Sequence, residues 1–183
     1  MAYKGKIIRN PKTGQTIEFV TTAEDSDGAF LEMVTSYAPH SKEPVAHYHP
    51  LQHEYFTVLE GALTIKKNGK IITLTRGMSI EIPKNTTHSM WNNGSAKTVL
   101  KWKVAPALST EFFFETTMGL VSDNKTKADG NPCLLQVALL AKKYSKEFRL
   151  FKPSYAIQRI VFALLTPFAL LAGKRAVYKK YIN

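Results

Sequence analysis

Val45 to Gly61 reads VAHYHPLQHEYFTVLEG and holds three of the chain's five histidines. His47 and His49 are two residues apart, so on a β-strand both imidazoles leave from the same face. That is how the wall of a β-barrel offers two ligands to one ion. His53 keeps the parity of that face and Glu54 does not. Pro50, however, removes a ladder hydrogen bond and ends or bulges a strand, so parity is reset between His49 and Glu54. Spacing alone does not choose between His53 and Glu54 as a third ligand.

The surroundings have β texture. From Lys4 to about Ala105, short runs of Ile, Val, Thr, Tyr and Phe alternate with turn residues, as in a sandwich or barrel. In LTIKKNGKIITL two such runs flank Asn68-Gly69, a pair suited to a two-residue type I′ hairpin. KTVLKWKVA alternates cleanly. Thr98, Leu100, Trp102 and Val104 share one face, which predicts a half-buried antiparallel strand with Trp102 pointing inward. No helix-period segment interrupts the region, which argues against a parallel α/β sheet.

A second segment, GMSIEIPKNTTHSMWN, supplies Gly77, Pro83, His88 and Asn92. Together the two segments resemble the paired motifs of the cupin superfamily. The first motif's intervals are met by His47, His49, Glu54 and Gly61, and the second's by Gly77, Pro83, His88 and Asn92. Ser41 stands where the family's leading glycine would be, and Asn85 replaces the middle glycine of the second motif. Asparagine also tolerates positive φ, so that departure is mild. The resemblance covers roughly residues 30–105.

It implies a mainly β protein, a cupin jelly-roll β-barrel, in which His47, His49, Glu54 and His88 ligate one divalent transition metal. Fe, Mn, Ni, Cu, Co and Zn all suit three imidazoles and a carboxylate. Glu54 is also the candidate catalytic carboxylate. His53 is expected at the surface or behind a ligand, and His40 at the surface. Facing inward with Glu54 and His88, the residues Phe56, Met90, Leu100 and Trp102 form a candidate substrate pocket, or else simply fill the barrel. Glu32 and Glu81 are expected on the solvent face.

What the resemblance implies about activity is a metal-dependent enzyme for a small molecule, a dioxygenase-like oxidoreductase. A non-catalytic binding or sensory module is the alternative, and a metal-dependent isomerase or lyase a third.

After Pro106 the texture becomes helical, which divides the chain into a barrel domain, residues 1–105, and a C-terminal helical extension, residues 106–183. Helices are expected from Ser109 or Thr110 to near Gly119, from Asn131-Pro132 onward, and from near Pro153 with a kink at Pro167. The formal net charge of +11 is concentrated at the ends, with +9 in residues 141–183. Without helix-turn-helix or zipper patterning, the basic tail gives no reason to expect nucleic-acid binding. Ile160 to Gly173 is a charge-free run of 14 residues, short of the roughly 20 needed to span a bilayer. It is read as packing on the barrel, as a homodimer contact, as peripheral membrane contact, or as an anchor. The lone Cys133, expected to be buried and inert, and the lack of an apolar leader at the N-terminus suit a cytoplasmic protein.

Overall fold

The computed structural model describes residues 2–182. Ten strands come first: β1 (Ile7–Arg9), β2 (Thr16–Thr21), β3 (Leu31–Tyr37), β4 (His47–Tyr48), β5 (His53–Glu60), β6 (Ala62–Lys67), β7 (Lys70–Thr75), β8 (Ser79–Ile82), β9 (His88–Trp91) and β10 (Thr98–Ala105). Helices α1 (Thr110–Ser122) and α2 (Leu134–Lys143) follow, then a two-residue strand β11 (Arg149–Leu150), the long α3 (Tyr155–Leu171) and the short α4 (Lys179–Ile182).

The strands form two antiparallel sheets, ordered β1-β2-β3-β10-β5-β8 and β11-β4-β9-β6-β7. They face each other as a jelly-roll β-barrel. Its core is filled by the inward residues of both, among them Phe19, Met33, Phe56, Leu63, Ile65 and Leu100, all without solvent exposure. Burial on that scale stabilises by about 1.5–3 kcal/mol per large side chain.

Local chemistry accounts for the main turns. Asn68 and Gly69 have φ of 49° and 81°, the double left-handed pair of a type I′ hairpin, and Lys67 pairs with Lys70 across it. Asn85 has φ of 62°, the conformation its place in the second motif requires. Gly61 has φ of 74°, and a Cβ there would lie 2.4 Å from the Lys97 carbonyl oxygen. In β10 the buried residues are Thr98, Leu100, Trp102 and Val104, the face read from the alternation.

The helices differ in detail from their sequence reading. Helix α1 runs through Gly119 to Ser122, because Gly119 serves close packing rather than termination: a Cβ there would strike the Tyr181 ring of α4. Helix α2 starts two residues later than Asn131-Pro132 suggests, with Cys133 at its N-cap. That cysteine is half-buried rather than buried. Helix α3 begins after Ser154 and continues through Pro167. No helix among the described residues is long and apolar enough to cross a membrane.

Candidate metal centre

The two sheets contribute opposite sides of one site. On one sheet, β4 pairs with β9 at a single position, His47 opposite His88. That register sets their rings 4.5 Å apart. On the other sheet, Glu54 projects inward from β5, beside the buried Phe56 and Val58. His49 lies in the bend at Pro50 that joins the two sheets. The bend resets parity, so Glu54 turns inward while His53 turns out to pair with Glu81 at 2.9 Å.

Potential ligand atoms of His47, His49 and His88 all lie within 4.8 Å of one another. The Glu54 Oε2 atom sits 2.9 Å from His88 Nε2 and 3.1 Å from His49 Nε2. Nevertheless none of these three buried atoms has a hydrogen bond of acceptable geometry. They are close together but not aimed as donor and acceptor. Buried polar atoms left without partners are costly, and a cation among them removes that cost.

The opposite ring nitrogens are all engaged by backbone carbonyls. His47 Nδ1 faces Val45 O at 3.1 Å, His88 Nδ1 faces Thr86 O at 3.0 Å, and His49 Nδ1 faces Glu147 O at 2.6 Å. A carbonyl only accepts, so each Nδ1 carries a proton and Nε2 is the nitrogen turned towards the cluster, where an ion would be held. The donor set fits a divalent transition metal held by His47, His49, Glu54 and His88.

Electrostatics agree. Burial, with His88 and His49 nearby, lowers the His47 pKa to about 3, so that this ring stays neutral. Burial alone would raise Glu54, but His49 and His88 outweigh it and hold the carboxyl well below its usual range. For His49 burial opposes charge, yet the Glu54 carboxylate wins and raises its pKa. A metal ion would displace that proton on binding.

Above the site lies a cavity of about 710 Å³, bordered by His47, His49 and Glu54. Its apolar lining includes Met90 and Trp102 from the barrel and Phe113, Phe114 and Phe148 from the helical extension. Of the four pocket residues read from the sequence, Met90 and Trp102 reach this cavity. Phe56 and Leu100 do not. They face inward, but lie fully buried in the core, with the Phe56 ring 5.4 Å from that of Trp102. Glu32 is paired with Lys101 at 3.0 Å and Glu81 with His53, which leaves neither to the cavity.

The sequence suggests an extension packed on the barrel, but not that it reaches the metal centre. β11 pairs with β4, Leu150 opposite His47 and Arg149 opposite Tyr48. This places the Glu147 carbonyl on His49 and the Phe148 ring 4.9 Å from His47, stacked on Phe113 at 5.5 Å. A backbone carbonyl leaves no side-chain pattern to read. The run Phe112-Phe113-Phe114, placed on a helix from sequence, is the one visible hint of an aromatic wall.

Residues 33–103 match the family described as Cupin domain. The chain carries a cupin domain. Among curated proteins, 102 residues are 33% identical to a quercetin 2,3-dioxygenase of Bacillus subtilis, covering 55% of this chain and 30% of that one. A further 62 residues' match, 40% identical, is to a probable oxidoreductase of Hypocrea virens, over 33% of this chain and 28% of that one. The chain thus spans less than a third of the length of either relative. A solved structure described as a predicted oxalate decarboxylase from Thermotoga maritima superposes with a TM-score of 0.50 at 17% identity, covering 58% of this chain and 99% of that one. That likeness is one of cupin fold.

Proposed function

We propose that the cupin domain is a metal-dependent, dioxygenase-like oxidoreductase acting on a small, largely apolar molecule. The carrying observation is the convergence of unpartnered Nε2 and Oε2 atoms from His49, His88 and Glu54, with His47 beside them, at the floor of an aromatic cavity. When bound, a redox-active ion would supply Lewis acidity and redox chemistry towards dioxygen. His47, His49 and His88 hold it with neutral imidazoles. Glu54, whose carboxyl keeps little affinity for a proton, serves as the anionic ligand.

Met90, Trp102, Phe113, Phe114 and Phe148 exclude water and give a planar aromatic substrate rings to pack on. The similarity to a quercetin 2,3-dioxygenase and to a probable oxidoreductase supports the reaction class and suggests flavonols as first substrates.

The test is oxygen uptake by protein reconstituted in turn with Fe, Mn, Ni, Cu, Co and Zn and offered a flavonol panel. Uptake that needs stoichiometric metal and disappears in His88→Ala is expected. Fully loaded protein that consumes no oxygen with any of these compounds argues against the dioxygenase reading.

A second reading is a binding or sensory module without turnover. It is favoured by the direct link from His49 through the Glu147 carbonyl to the helices, which couples site geometry to the extension. Tight binding of a metabolite to loaded protein, with no product formed, distinguishes it.

A further inference from the structure

Helix α3 has two apolar faces, and only one of them is used. Phe162 packs on Ala138 and Ala141 of α2 with Leu165 beside it, and Ala169 is buried on the same side of the helix. Ile157, Ile160, Val161, Leu164, Phe168 and Leu171 remain in solvent, with Leu164, Phe168 and Leu171 exposed by 66%, 62% and 86%. At 100° per residue these six fall within an arc of about 100°, a continuous stripe along the outside of the helix. Contiguous exposed apolar patches mark interaction surfaces.

The segment that carries the stripe has charge of one sign. No Asp or Glu occurs from Phe148 to Asn183, whereas Lys152 precedes the helix and Lys174, Arg175 and Lys179 follow it, with Lys180 paired to Asp123 at the C-cap of α1. We propose that this face lies in the surface of an anionic lipid bilayer, Leu164 and Phe168 entering the acyl boundary and the flanking lysines and arginine meeting headgroup phosphates. An apolar stripe bracketed by cations is the composition of a helix that lies in a membrane interface rather than across it.

A second copy of the chain fits less well, because the same basic flanks would oppose one another.

The test is co-sedimentation of the full chain with phosphatidylserine-rich vesicles and with pure phosphatidylcholine vesicles. Leu164→Glu/Phe168→Glu and Lys174→Glu/Arg175→Glu variants are run beside it. All four positions lie outside the core, so far-ultraviolet circular dichroism should confirm unchanged folding. Salt-sensitive binding to the anionic vesicles is expected, reduced about tenfold or more by the apolar double variant and also weakened by the charge reversal. Absence of binding to anionic vesicles, or binding equal in all variants, overturns the proposal. So does a concentration-dependent dimer that the Leu164→Glu/Phe168→Glu variant dissociates, which would assign the face to a second copy.

Discussion

The indole Nε1 of Trp102 donates to Oε1 of Glu54 at 3.1 Å, and that single contact divides the work of the carboxylate. Trp102 stands opposite Phe56 on the neighbouring strand, diagonal to Glu54, so β-sheet register alone brings the two side chains together. With Oε1 occupied, Oε2 is the oxygen presented to His49 and His88. Trp102→Phe removes the donor while keeping most of the ring. Metal affinity should fall about tenfold to a hundredfold, as is usual when a group supporting a ligand is lost. Competition with a chromophoric chelator measures it, and an unchanged dissociation constant would show that Glu54 needs no such support.

Ligand removal should separate the histidines sharply. His88 is buried with its Nε2 in the cluster, whereas His53 is at the surface with Glu81. His88→Ala should therefore lose bound metal, and His53→Ala should retain about one ion per chain by elemental analysis. Equal metal contents in the two variants would refute the site.

The sequence announces the side chains of this site more plainly than their support. His47 and His49 at strand spacing, Pro50 as a break and the Asn68-Gly69 turn are local signals, and each is written in consecutive residues. Parity also places Phe56 and Leu100 inward correctly. It carries no information about depth along the barrel, which is why both lie in the core instead of at the cavity. Glu147 was illegible for another reason. It acts through its carbonyl, from a segment whose two-residue strand has no periodicity, on a histidine 98 positions away.

Gly61 makes a prediction about stability rather than chemistry. Its φ of 74° and the 2.4 Å approach of any Cβ to the Lys97 carbonyl oxygen leave no room for a side chain. Because backbone rather than a flexible side chain blocks the space, Gly61→Ala should destabilise by about 2 kcal/mol or more. Urea unfolding would detect it. A shift under about 0.5 kcal/mol would mean that the turn relaxes at little cost.

Phe148 tests the role of the extension as a cover. Its ring packs between His47 and Phe113, half-buried, above the ligands. Phe148→Ala should cost about 1–3 kcal/mol, less than a fully buried phenylalanine. More tellingly, it should speed chelator-driven metal release several-fold, because water gains access to the site. Stability loss with an unaltered release rate would reduce Phe148 to packing.

The acid response of the metal-free protein follows from His47. Its pKa is about 3 in the folded chain against 6.5 for the ordinary group, so between those values the unfolded chain binds more protons. Stability must then fall as pH drops below about 6.5 and go on falling towards 3. Glu54, also depressed, adds loss of the same sign below its ordinary 4.5. His49 acts in the other direction and in another window: its raised pKa contributes stability fully present below 6.5 and lost as pH rises through its folded value. Metal-free protein should accordingly be most stable near neutrality and weaken steadily in acid. A saturating divalent ion should add most stability on the alkaline side, where no proton competes for the imidazoles. Urea midpoints from pH 4.5 to 8, with chelator and with metal, decide it. A midpoint for metal-free protein that stays level from pH 7 to 4.5 would mean that His47 is not held neutral by burial.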